Sequence, residues 1–329
     1  MGAPRGIATA WTVVAAALAT AIGARLLAGG TLDTPAWAEI IELRGQRACV
    51  GLIVGAALGA AGAVLQALMR NPLAGPEVLG VAPGASLAVV IAAWLGAGLG
   101  MSGFDTLAWA ALPALLGAGG ALALVYTLSQ RRGLVEPQTL VLTGVVVGTL
   151  AGAGILLVQH LAGGFIAARA LIGSLSDDAD WREIAGAGGP ALAALACAAW
   201  LGPTLDASML GDDEAASVGV RVGPARTGAF ALAGLLVALA VALAGPVGFI
   251  GLISPHLARG LTRMIGGHRT LVAISAGIGA ALVVGGDALT RVLPLAGGRL
   301  PLGILTTALG GPVFLFMLRR AGGVSGQTR

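Results

Sequence analysis

The chain has 329 residues, of which 57% are hydrophobic and only 10% charged, and its mean hydropathy is +0.93. A water-soluble domain covers its surface with roughly 25% charged residues, so this composition excludes one and leaves lipid as the covering solvent. The net charge of +4 comes entirely from arginines, without long basic runs, which argues against nucleic acid and for anchoring at helix ends.

A helical span needs about 20 mostly apolar residues. Ten stretches qualify, at 7–29, 47–69, 84–100, 107–129, 138–161, 184–203, 226–245, 247–265, 270–293 and 301–318. They predict an all-α, polytopic membrane protein made of one transmembrane domain over residues 1–329. The first stretch is long enough to span and lacks a clear cleavage site, so it reads as a span and not as a leader. Glycine, at 55 residues, recurs four apart in the second stretch, as at Gly51, Gly55 and Gly59. Small residues at that spacing let helix backbones approach closely.

After the second stretch, Pro72, Pro76 and Pro83 are expected to break helicity where backbone faces protein or a pore. The longest polar segment, 206–221, joins the sixth and seventh stretches. Asp212, Asp213 and Glu214 there read as the first turn of a short helix, because carboxylates favour its positive end, and Gly219 would end it. A connector and a contact element are both open on this basis. Gly245-Pro246 and Ser254-Pro255 interrupt the eighth stretch. In the ninth, Asp287 precedes Arg291 by four residues, the spacing of an intrahelical pair. The arginines outside the spans favour both termini on the cytoplasmic side.

Nothing in the chain suits catalysis or metal binding. It has no lysine, hence no phosphate-binding G-x-x-x-x-G-K-[ST] loop. His160, His256 and His268 fall on separate segments, and Cys49 and Cys197 lie in apolar stretches as packing residues. An ion-driven transporter would need several intramembrane acids, and Asp287 is the one clear candidate.

Three blocks carry a resemblance. The first is Arg44-Gly-Gln-Arg47, then Gly55-Ala-Ala-Leu-Gly-Ala-Ala-Gly-Ala-Val-Leu-Gln66 and Arg70-Asn-Pro-Leu-Ala-Gly-Pro-Glu-Val-Leu-Gly80. The second is Leu210-Gly-Asp-Asp-Glu-Ala-Ala-Ser-Val-Gly-Val220. The third runs from Gly245-Pro-Val-Gly-Phe-Ile-Gly-Leu-Ile-Ser-Pro-His256 through Gly286-Asp-Ala-Leu-Thr-Arg291 and Leu300-Pro-Leu-Gly-Ile-Leu-Thr306 to Gly310-Gly-Pro-Val-Phe314. In this order they resemble the FecCD family of ABC-importer permeases over about residues 35–320.

The resemblance implies a type II importer permease of the bacterial inner membrane that moves an iron chelate, either haem or a ferric siderophore, or else cobalamin. It implies a homodimer of ten-helix subunits in lipid, served by two cytoplasmic ATPase subunits and a periplasmic binding protein. ATP and magnesium would be used by the ATPase, with no cofactor and no catalytic residue in this chain. Segment 206–221 would be the coupling element, with Leu210, Gly211, Asp212, Glu214, Ala215 and Gly219 at the ATPase. Arg44, Arg47 and Arg291 would meet acidic groups of the binding protein, as exposed pairs. The family's Arg-Leu-Pro-Arg reads Arg-Gly-Gln-Arg here, and Arg299 stands where relatives often carry an acid. Asn71, Pro72, Pro83 and Gly84 would belong to the inner gate and pathway, although relatives often have a polar residue at the position of Pro83.

Overall fold

The structure, a computed structural model, describes residues 5–28, 37–100, 107–131, 134–135, 137–164, 172–175, 180–262, 266–293 and 300–324. These form helices α1 (Arg5–Leu27), α2 (Trp37–Leu68), α3 (Val81–Gly98), α4 (Leu107–Leu128), α5 (Pro137–Leu161) and α6 (Trp181–Trp200). There follow α7 (Gly202–Leu210), α8 (Asp212–Ser217), α9 (Val222–Ala244), α10 (Ile250–Thr262), α11 (Gly267–Val292) and α12 (Leu302–Val324). A single 3-10 turn, Pro76–Leu79, separates α2 from α3, and a two-residue antiparallel pair follows α4.

Each of the ten predicted stretches is a helix. Among the described residues, seven are long and apolar enough to cross a membrane: α1, α2, α3, α5, α6, α9 and α11. α4 and α12 contain shorter apolar stretches, Leu112–Leu128 and Leu302–Phe316. The eighth stretch is corrected. α10 has only 13 residues, because Gly245 and Phe249 take left-handed φ values of +68° and +64° and the chain turns before the helix starts. Ser254-Pro255, expected to interrupt it, sits inside the helix.

α2 is the axis of the subunit. It packs against α11, α9, α10 and α6, while α3, α4 and α5 form a further layer joined to it through α9. Its 19 buried residues include Arg44, Gln46, Arg47 and Gln66, so the helix is enclosed along most of its length. The reason lies in its glycines. A Cβ at Gly55 would strike the Gly279 carbonyl of α11, one at Gly59 the Ser275 carbonyl, and one at Gly62 the Gly251 carbonyl of α10. Pro255 has no N–H to offer the Gly251 carbonyl four residues earlier, and it is against that carbonyl that Gly62 packs. α2 begins ten residues before the predicted 47, because its first turns carry Glu39 and Glu42, which end an apolar stretch without ending a helix.

Candidate functional site

The polar segment is two helices set at a glycine corner. α7 ends and α8 begins at Gly211, whose φ of +149° and ψ of 165° turn the chain abruptly. The Glu214 carboxylate folds back over Gly211, so a Cβ there would collide with it. Ala215, within α8, is fully buried, and Gly219, at φ +86°, ends the helix as expected. Leu210 and Val218 are 69% and 64% exposed. Met209 is exposed beside them, and so are the acidic Asp213 and Glu214.

Three long helices hold this corner. Asp212 accepts hydrogen bonds from Nη2 of Arg70 and Nη2 of Arg226, both at 2.6 Å, tying α8 to the ends of α2 and α9. Arg70 Nε also donates to the Ser208 carbonyl of α7 at 2.9 Å. Asp206 of α7 accepts from the His268 backbone N–H at 2.9 Å and lies 2.6 Å from His268 Nδ1, at the start of α11. Arg70 can reach both short helices because it ends α2 in a left-handed turn, at φ +48°, with the Asn71 N–H returning to the Gln66 carbonyl at 3.1 Å.

Behind the corner lies a cavity of about 350 Å³ lined by Gln66, Arg70, Asn71, Asp206, Arg259 and His268, among others. Gln66, almost fully buried, accepts a 2.6 Å bond from Arg259 Nη1 and donates to the Leu252 carbonyl at 3.3 Å, linking α2 to α10. Two predicted gate residues, Asn71 and Pro72, border this cavity. Asn71 shapes the turn itself, its Oδ1 accepting the Leu73 N–H at 2.9 Å. The other two do not join them. Gly84 is buried against Gly117 and Ala121 of α4. Pro83, expected to break helicity, lies in the first turn of α3, where the backbone N–H has no helical partner in any case.

At the opposite end, Asp287 does not pair with Arg291 as its spacing predicted. It accepts bonds from Arg25 Nε of α1 and from Arg47 of α2, the latter at 2.7 Å from Nη2 and 3.0 Å from Nε. Arg25 and Asp287 are fully buried and Arg47 is 6% exposed. Arg44, 5% exposed, donates from Nη1 to the Leu26 carbonyl. The expectation that Arg44 and Arg47 are exposed charges is therefore corrected: the helix α1 lies over them. Arg291 is half-buried, and Arg299 lies outside the described residues.

Sequence reasoning missed Arg25, Arg226, Asp206 and the clamping role of Arg70. A lone arginine near the end of an apolar helix reads as a lipid anchor, and only the fold shows which carboxylate it meets.

The FecCD transport family matches residues 7–320 of the chain. A vitamin B12 import system permease protein of Vibrio vulnificus (strain CMCP6) is 36% identical over 294 residues, covering 86% of this chain and 83% of the relative. A hemin transport system permease protein of Yersinia pestis is 31% identical over 304 residues, covering 92% and 89%. An inward-facing structure of a metal-chelate type ABC transporter is similar with a TM-score of 0.80 at 26% identity, over 95% of this chain and 99% of that one.

Proposed function

The chain belongs to the FecCD transport family, and from that premise we propose that it moves an iron chelate, haem or a ferric siderophore, through the axis of a homodimer. It is a multi-pass inner-membrane permease of an ABC importer, a family whose permeases work with an ATPase and a substrate-binding protein.

The observation that carries the mechanism is the corner at Gly211. A permease without a nucleotide site of its own has to receive work through a contact. Here two short helices present exposed Leu210, Asp213 and Glu214 on one side. On the other, Asp206 and Asp212 are tied to α2, α9 and α11. We assign Leu210, Gly211, Asp212, Glu214, Ala215 and Gly219 to this coupling element. Leu210 and Glu214 face the ATPase, while Gly211, Asp212, Ala215 and Gly219 set its shape. Movement of the ATPase pair, fuelled by ATP and magnesium there, is passed to the spans through Arg70, Arg226 and His268. The same assignment places both termini in the cytoplasm, and it puts Asn71 and Pro72 at the inner gate, with Pro83 and Gly84 behind them as packing.

Docking of the binding protein belongs at the Asp287 end. Arg25, Arg44, Arg47 and Arg291 gather there beside Asp287 and the exposed Glu39 and Glu42, and in this reading they attract acidic lobes even where the guanidinium groups are covered. Arg44, Arg47 and Arg291 act in this reading as a field and not as exposed pairs.

Cobalamin is the second cargo: a vitamin B12 permease is 36% identical to the chain, beside 37% for an achromobactin permease and 31% for a hemin permease. The test is uptake into liposomes holding the chain with and without its ATPase and binding protein, offered hemin, a ferric siderophore and cyanocobalamin in turn. Accumulation is expected only with both partners and ATP, and with one cargo class. Uptake that proceeds without the ATPase overturns the importer reading.

A further inference from the structure

The turn between α2 and α3 carries an ionisable group at a depth where the bilayer offers no water. Along α2, Arg47 to Leu68 spans about 32 Å at 1.5 Å per residue, close to the ~30 Å of a hydrocarbon core. Gly251, at the start of α10, packs on Gly62 and on the Leu58 carbonyl. Those positions lie about 9 and 15 Å from the Leu68 end by the same rise. The Pro76 ring packs on Gly251 too. Glu77, the next residue, is therefore well inside the core, and in the single subunit it keeps exposed surface although protein atoms crowd around its carboxylate.

An exposed carboxylate at that depth faces lipid, the second copy of the homodimer or a water-filled space; lipid is strongly unfavourable for it, and a second copy would bury it from water-soluble reagents. Non-helical backbone is subject to the same rule, being tolerated at membrane depth only against protein or a cavity. The 3-10 turn that carries Glu77 and the bend at 245–249 that it touches are both of this kind. Glu77 Oε1 accepts the Phe249 N–H, at a residue held in left-handed backbone immediately before α10 begins. The carboxylate thus sits at the positive end of that helix and joins the two irregular segments. Phe249 in turn meets Phe314 of α12 in a tilted ring contact, with ring centroids 6.3 Å apart.

We infer that Glu77 lines the water-filled translocation pathway and is the positioning residue that fastens the start of α10 to the turn before α3. This rests on the transport reading, and it adds a side chain to the pathway that the motif residues Asn71, Pro72, Pro83 and Gly84 do not supply.

The test uses the unaltered chain in complex with its ATPase and binding protein in liposomes. The complex is treated with a water-soluble carbodiimide and glycinamide, and separately with the lipophilic dicyclohexylcarbodiimide. Modification is read by mass spectrometry at Glu77, at exposed Asp213 and at buried Asp287. Glu77 is expected to take the water-soluble reagents as Asp213 does. If it is as inert as Asp287, or reacts with the lipophilic reagent alone, the pathway assignment is wrong. For the fastening role, Glu77→Gln keeps an acceptor for the Phe249 N–H and should retain more uptake than Glu77→Ala. Equal uptake by the two variants overturns that role. Labelling does not depend on ATP-driven uptake, so loss of the importer reading and loss of this inference are separate outcomes.

Discussion

Asp287 holds two guanidinium groups inside a wall of apolar helices, a place where an unpaired charge is costly. Breaking a buried ion pair from one side leaves its partner uncompensated and costs about 3–5 kcal/mol. Asp287→Ala is thus expected to destabilise the subunit by about that amount, because it removes the carboxylate that both Arg25 and Arg47 contact. Thermal unfolding in detergent measures it. Joint replacement of Arg25, Arg47 and Asp287 by apolar residues of similar volume should recover most of the loss. If the single substitution melts like the parent chain, the carboxylate is not what joins α1 and α2 to α11. The Arg70 and Arg226 bonds to Asp212 are different in kind. Arg70 and Asp212 have side chains 37% and 40% exposed, and such a pair contributes about 0–1 kcal/mol. Their value is in direction, since they fix where the corner sits.

Between elements, backbone contact replaces side-chain interlocking. α2 meets α11 and α10 through glycine faces where no Cβ fits. Gly55→Val should therefore push α2 from α11 and cost about 1–3 kcal/mol or more, because the obstructing atoms are backbone and cannot rotate away. Gly119→Val, in an open position on α4, is the control and should melt close to the parent chain. Hydropathy made the ten helices legible, since each buried or lipid-facing stretch is long enough to register. It missed the first ten residues of α2 because Glu39 and Glu42 reach past the lipid, and hydropathy follows lipid while the helix follows its hydrogen bonds. In the polar segment the acidic first turn and Gly219 were readable as one short helix. The second helix, α7, was hidden because Gly202-Pro203 closes an apolar stretch and opens a new helix at once. Asp287 was misread for a related reason: four-residue spacing suggests a local partner, and tertiary neighbours brought by α1 and α2 took it instead.

At the scale of the whole molecule, the chain is a lipid-covered body with a polar feature at each end. Exposed leucines such as Leu142, Leu150 and Leu156 on α5 fit contact with lipid or a second copy. If the Asp287 end attracts the binding protein through its field, docking should weaken as salt rises. The Debye length falls from about 10 Å at 0.1 M to about 3 Å at 1 M. Binding measured across that range is expected to lose affinity steadily, and a salt-independent affinity removes the arginines from docking.

α2 reaches both ends without interruption. Its 32 residues begin before Arg44 and Arg47 and finish two positions short of Arg70, which grips the Gly211 corner. Such a helix is about 48 Å long and is braced on several flanks, so it behaves as a strut between two sockets. Whatever energy couples the sockets must be felt equally in both directions. A loaded binding protein seated on one face therefore ought to change nucleotide affinity on the other, and nucleotide ought to change the grip on the binding protein by the same factor.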